Sequence, residues 1–243
     1  IGSVRRAKGD FKAALAEFEK AQVLLSNIDD RTTRGLVLSN AAIIYTEMGE
    51  IETARSFLEE AITLAQSTGS TFAESVRLGN LAWLYISTGK YDLAIETLEK
   101  SIGISRQLND SLLIAIQSNN LGWAYHRKGE HSTALGLLKQ GLSLVEKLND
   151  RRWQAIIKSN LADVQLALQN LDEADQLLTD ALTLSTEVQD PETIVRTQIR
   201  QAKLFLLRDD FSAAESLALE ADAAARRMAF RKGNADATRL LGD

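Results

Sequence analysis

Asparagine stands at positions 40, 80, 120 and 160. A side-chain amide carries one acceptor and two donors, so it can pair with both the C=O and the N–H of a peptide unit. A ladder of Asn40, Asn80, Asn120 and Asn160 would hold an extended chain without demanding much sequence. Each such bond contributes about 0.5–1.5 kcal/mol net. Ordering a flexible peptide costs about 1–2 kcal/mol per residue, so the amides need apolar anchors beside them. Three positions further on, the chain reads Ile43, Trp83, Trp123, Asp163 and Lys203. Trp83 and Trp123 would bring large contact area at low entropy cost. The next column reads Glu47, Ser87, Arg127, Ala167 and Leu207, and Arg196, Arg200 and Lys203 share a face that would take an acidic group or a C-terminal carboxylate. Plainer readings stand beside these. The asparagines could bond neighbouring helices or water, or be inherited from duplication without a role. The tryptophans could fill the seam between helices, and the cations could form a solvated face.

Other chemistry finds little support. The chain has two histidines and no cysteine, which leaves no thiolate metal site, disulfide framework or thiol nucleophile. His131 falls in a bulky packing column, and His126 lies five residues away, about 140° round a helix, so the pair does not make one metal site. Glycines are single and spaced as turns, so no phosphate cradle appears. Carboxylates are scattered on outward faces, as on any solvated helix. The run Arg226, Arg227, Arg231 and Lys232 reads as the exposed face of a terminal helix. No constellation supports an enzyme, a metal or a cofactor.

Composition agrees. With 45% hydrophobic and 25% charged residues over 243 positions, the chain has the balance of a globular protein. One proline, Pro191, suits long uninterrupted helices. A net charge of -5 argues against a general nucleic-acid binder, which needs a basic footprint. No apolar run approaches the roughly 18 residues of a membrane span, and no signal peptide opens the chain. The lack of cysteine is compatible with a reducing cytosol, and a cytoplasmic location is expected.

The asparagine interval is shared by the whole chain. Ala14, Ala54, Ala94, Ala134, Ala174 and Ala214 recur every 40 residues. So do two small columns, Ala21, Ala61, Ser101, Gly141, Ala181, Ala221 and Gly2, Ala42, Ala82, Gly122, Ala162, Ala202. Bulky residues follow at Phe11, Ile51, Tyr91, His131, Leu171 and Phe211, and another column reads Arg5, Tyr45, Tyr85, Tyr125, Gln165 and Phe205. Ile51, Ala54, Leu58, Ala61 and Ala65 step by three and four, the spacing of one helix face. A turn column, Gly9, Gly49, Gly89, Gly129, Gln169 and Asp209, separates the two helices of each unit, predicted at about 71–88 and 90–108 in one of them. Asp30, Ser70, Asp110, Asp150 and Asp190 stand as N-caps of the first helices, with Pro191 at a first helical position. Gly69, Asn109 and Asn149 precede the caps and tolerate the left-handed conformation that ends a helix. With Asn80 placed at zero, Ala82 lies at about 200° and Tyr85 at about 140°, while Trp83 and Ser87 lie beside the asparagine. The amides therefore sit away from the packing side.

The run Leu81-Ala82-Trp83-Leu84-Tyr85, with Gly89, Tyr91, Ala94 and Leu98, resembles the tetratricopeptide repeat. The 40-residue interval is similar to the long variant of kinesin light chains, Pins-type scaffolds and MalT-like bacterial regulators. Gln165 departs from Tyr, and Gln169 and Asp209 depart from Gly, which bears on the late turns. The resemblance implies an all-α fold, an α-solenoid of tandem helix–turn–helix pairs in a right-handed superhelix. It implies one array over 1–243: a partial repeat at 1–29 (helix at about 9–29), full repeats at 30–69, 70–109, 110–149 and 150–189, and a terminal repeat with the start of a further helix at 190–243. The chain starts at Ile1 in mid-repeat, so it is read as a piece of a longer protein. The resemblance also places the asparagines on the concave wall, where related arrays hold the backbone of extended peptides.

The expected function is a non-enzymatic interaction module binding a protein or peptide segment. The alternative is a sensor segment of a multidomain, MalT-like regulator. Self-association through uncapped repeat ends is the third.

Overall fold

Aspartates at the repeat breaks set where helices begin. In the computed structural model, which describes residues 10–25, 28–228 and 230–242, Asp30, Asp110, Asp150 and Asp190 accept the backbone N–H of Thr33, Leu113, Trp153 and Thr193. Gly2, Arg5 and Gly9 of the repeat columns, and the side chains of Arg231 and Lys232, lie outside the described residues. Ser70 holds the cap position but makes no side-chain capping bond, contrary to expectation. Asp10 and Asp210 cap second helices, through Ala13 and Ala213.

Among the described residues every regular element is an α-helix. The first helices of the repeats are Arg31–Met48 (α2), Thr71–Ser87 (α4), Ser111–Lys128 (α6), Arg151–Ala167 (α8), Pro191–Leu207 (α10) and Arg231–Gly242 (α12). The second helices are Phe11–Leu25 (α1), Ile51–Ser67 (α3), Tyr91–Gln107 (α5), His131–Lys147 (α7), Leu171–Glu187 (α9) and Phe211–Arg227 (α11). His126 and His131 thus belong to different helices, divided by the turn at Gly129, and not to one helix as the angular argument assumed.

The turns share one geometry. Gly49, Gly69, Gly89 and Gly129 have positive φ, and so do Asn109, Asn149, Gln169 and Asp209. At Gln169 the φ is 61°, so the late turns keep their form despite losing glycine. The closing bonds explain why. Asn170 N–H reaches Gln165 O at 2.9 Å and Asp210 N–H reaches Phe205 O at 2.9 Å, as Lys90 reaches Tyr85 in an earlier repeat. These bonds satisfy carbonyls that a helix end otherwise leaves open.

Two compact units divide the chain, Ile1–Lys128 and Gly129–Asp243. In the first, α1 to α6 pack in chain order, and α4 also touches α2 and α6. In the second, α7 to α12 repeat that scheme, with α10 touching α8 and α12. Each unit is an all-α solenoid of tandem helix–turn–helix pairs. The alanine column from Ala14 to Ala214 is fully buried, which lets neighbouring helices approach closely. Larger neighbours fill the grooves: Leu58, Ile62, Leu81 and Leu84 close one such core with Ala42 and Ala54. Phe211 departs from its column, since the residue is 64% exposed. Its counterpart Ile51 is partly buried against the core formed by Ala42, Ala54, Leu58, Ile62, Leu81 and Leu84.

Candidate functional site

In the first unit, α2, α4 and α6 present repeat-equivalent stripes. On α4 the stripe is Phe72, Val76, Asn80, Trp83 and Ser87, which fall within about 80° of helix arc. On α6 it is Leu112, Ile116, Asn120, Trp123 and Arg127, and on α2 it is Thr32, Leu36, Asn40, Ile43 and Glu47. Asn40, Asn80 and Asn120 are all half-buried. Asn80 Nδ2 donates to Ser39 Oγ at 2.9 Å, one repeat back. Asn119 Nδ2 donates to Asn120 Oδ1 at 3.2 Å. Asn40 makes no side-chain hydrogen bond among the described residues, and Asn80 Oδ1 and Asn120 Nδ2 have no partner there either. Each amide therefore keeps hydrogen-bonding capacity beyond its structural contact.

Apolar side chains border these amides. Leu36 is 56% exposed and Phe72 is 54% exposed, while Val76, Trp83, Leu112 and Ile116 are half-buried. Trp123 is only 9% exposed, with its ring tilted against His126 at 5.1 Å between centroids. Of the two tryptophans, Trp83 offers more surface. Arg127 is exposed and has no ion-pair partner among the described residues. The aliphatic row Leu36, Val76 and Ile116 escaped the sequence reading, although it too recurs every 40 residues, four positions before each asparagine.

Behind this face lie buried polar groups. The Arg77 guanidinium donates to Ala61 O at 3.0 Å and Thr32 O at 3.4 Å. Burial pushes its pKa down. Ser75, Ser101 and Ser105 are fully buried and satisfy one another between α4 and α5, with Ser101 Oγ donating to Ser75 O at 2.8 Å. Tyr85, on the second-helix side, has its pKa raised, first by burial and then by Glu59.

The second unit carries a different arrangement. Asn160 Oδ1 accepts from Arg200 Nη2 at 2.9 Å, and Ser159 Oγ accepts from Arg200 Nη1 at 2.8 Å. Asp163 lies 3.6 Å from Arg200 Nε and 3.2 Å from Lys203 Nζ. The Arg200 side chain is 12% exposed. Burial lowers its pKa, with Asp163 opposing the shift; a guanidinium stays charged regardless. Arg196 pairs with Glu192 and lies over the Phe230 ring at 4.9 Å. Arg196, Arg200 and Lys203 all lie on α10, each beside a carboxylate, Glu192 or Asp163, that the sequence reading did not pair with them. Thr197 Oγ1, bonded to Ser159 Oγ at 3.0 Å, extends the same network.

Among the described residues no group of three His, Cys, Asp or Glu side chains could hold a metal ion. No helix there is long and apolar enough to cross a membrane.

A tetratricopeptide-repeat family model matches residues 1–67 and 73–147, and a second model of that repeat matches 159–192. No curated protein sequence matches the chain. Among solved structures, the Rap conjugation gene regulator of a plasmid, in complex with a peptide, is similar at 14% identity and TM-score 0.73, over 99% of this chain and 72% of that one. Nearly identical repeats of a kinesin light chain from Podosopora anserina match at 20% identity and TM-score 0.61, over 81% of this chain and 96% of that one. A signal-transduction ATPase with a tetratricopeptide-repeat sensor, from Pyrococcus horikoshii, matches at 13% identity and TM-score 0.69, over 99% of this chain and 40% of that one. At these identities the likeness is one of fold.

Proposed function

Since the chain belongs to the tetratricopeptide-repeat family, we propose that it is a non-enzymatic interaction module holding an extended peptide on the first-helix face of its Ile1–Lys128 unit. One observation carries this reading. Asn40, Asn80 and Asn120 stand on one face with amide atoms unused by the protein, bordered by partly exposed Leu36, Phe72, Val76, Trp83 and Ile116. Such amides match peptide C=O and N–H groups, and the apolar neighbours supply affinity that hydrogen bonds lack. Trp123 supports the site from beneath, and Arg127 adds a positive charge at its edge. In the second unit Asn160 is engaged by Arg200, so a contribution there would come from Arg196 and Lys203 exchanging their own carboxylates for an acidic ligand group. The similar Rap regulator, whose structure contains a peptide, supports the same direction.

A phage-displayed library of random peptides, panned on the 243-residue chain, tests this. Selected peptides are then titrated calorimetrically against Asn80→Ala/Asn120→Ala. Two amides at about 0.5–1.5 kcal/mol each predict a loss of about 5- to 150-fold. Equal binding to the double variant sinks the proposal. So does a fall in thermal stability that accounts for the loss, since the amides would then be structural.

A second reading is favoured by the likeness to the ATPase sensor. Here the array senses a ligand for catalytic or DNA-binding domains in a longer chain. Peptide binding by the array, together with ligand-dependent activity of the natural full-length protein, would support it; activity indifferent to the peptide would count against it.

A further inference from the structure

Resting on the peptide-binding reading above, the face of the first unit also specifies the spacing of the ligand's anchors. Four residues before the asparagines stand Leu36, Val76 and Ile116; three after them stand Ile43, Trp83 and Trp123. At about 1.5 Å rise per residue, these rows flank the amides by about 6 Å and about 4.5 Å along the helix axes. A peptide bonded to the amide row crosses the helices. Its side chains point alternately to opposite sides, so each enters one apolar row or the other.

Spacing decides which. Packed helix axes lie about 8–10 Å apart. Three residues of extended chain, at about 3.3 Å each, cover that distance. Residue i above α2 therefore places i+3 above α4 and i+6 above α6. Three is odd, so the side chain changes rows at every step. Two registers meet this condition: Ile43, Val76 and Trp123, or Leu36, Trp83 and Ile116. Exposure selects the second. Leu36 is more than half exposed and Trp83 and Ile116 are partly open, whereas Trp123 is nine-tenths buried.

We infer that the ligand is an extended segment with apolar side chains at i, i+3 and i+6, contacting Leu36, Trp83 and Ile116 in turn. The ligand residue just beyond the anchor on α6 points back toward the Trp123 row. There Arg127 stands exposed without an ion-pair partner among the described residues. An acidic side chain at that place completes the motif.

Fluorescein-labelled twelve-residue peptides in a Gly/Ser/Thr background test this by anisotropy with the full chain. Each carries three leucines, spaced two, three or four apart, with a glutamate outside the first or the last leucine. The three-apart peptide is expected to bind about tenfold tighter than the others. Leu36→Ser should remove that preference. Arg127→Glu should weaken one glutamate peptide about threefold and leave its mirror-order partner unchanged. Equal binding of all spacings, still lost in Asn80→Ala/Asn120→Ala, overturns the motif and leaves the peptide-binding reading standing. Failure of every spacing to bind also overturns the motif, while the panned peptides remain the separate test of that reading.

Discussion

Replacing Gly35 by Ala probes how closely the first helices of the Ile1–Lys128 unit are held. An added Cβ would lie 2.6 Å from Arg77 Nη2, 2.8 Å from Cζ and 3.0 Å from Nη1. In an open helix, Gly→Ala stabilises by about 1 kcal/mol. Here the methyl displaces a guanidinium on a residue only 5% exposed, whose recorded bonds go to the carbonyls of Ala61 and Thr32. A hydrogen bond to a charged group contributes about 1.5–3 kcal/mol, and overpacking costs about 1–3 kcal/mol. Losing one bond and repacking outweighs the helix gain, for a net loss of about 1.5–5 kcal/mol. In a chain of this size each kcal/mol lowers Tm by about 2–4 °C, so the fall is at least about 3 °C. Thermal melts and urea denaturation, both followed by circular dichroism, measure the fall in Tm and the free-energy loss. Arg77→Met in the same background removes the obstructing head. Arg77→Met itself loses the bonds to Ala61 and Thr32, so the comparison is within that background: there Gly35→Ala meets no guanidinium and should show the alanine gain of about 1 kcal/mol. Stabilisation by Gly35→Ala alone would refute the reasoning, because the guanidinium could not then lie over Gly35.

Gln169→Gly and Asp209→Gly each relieve a left-handed residue, at φ 61° and 59°, and should raise stability by about 1 kcal/mol in the same denaturation assay. Asp163→Ala removes a carboxylate beside the largely buried Arg200 and should cost about 3 kcal/mol, read from the urea midpoint. Asp180 has its pKa lowered, chiefly by the hydrogen bond from Lys158 Nζ at 2.6 Å. A depressed folded pKa stabilises above the unfolded value, and that contribution disappears as pH falls from about 4 through the folded value. Asp180→Asn should therefore flatten the acid limb of the stability profile below about pH 4, measured by thermal melts across pH.

The repeat register was fully legible, because packed helix pairs demand small residues at fixed intervals and alanine is conspicuous. Turns at Asn109 and Asn149 were legible for a different reason: few residues accept a left-handed conformation. Gln169 and Asp209 looked like departures, yet the turn persists there because backbone bonds from Asn170 and Asp210 hold it. Arg77 was invisible: its column reads Val37, Arg77, Gln117, Ile157 and Thr197, and no spacing rule announces a cation that fits over a glycine on the preceding first helix. Asp163 stands in the column of Trp83 and Trp123, and its pairing with Arg200 and Lys203 emerges only where α8 and α10 lie side by side. The Leu36, Val76 and Ile116 row could have been found from the 40-residue interval. It was overshadowed by the asparagines because aliphatic residues on a helix read first as core.

The side-chain amide resonances of the asparagines give the most direct test of the proposed face. Titration of a panned peptide into isotope-labelled protein should shift the Nδ2 signals of Asn40, Asn80 and Asn120, along with the Trp83 indole signal. The signal of Asn170, whose Nδ2 is bonded to Gln165 Oε1 at 3.0 Å, should stay in place. Shifts confined to other helices, with Asn40, Asn80 and Asn120 unmoved at saturation, would contradict the account.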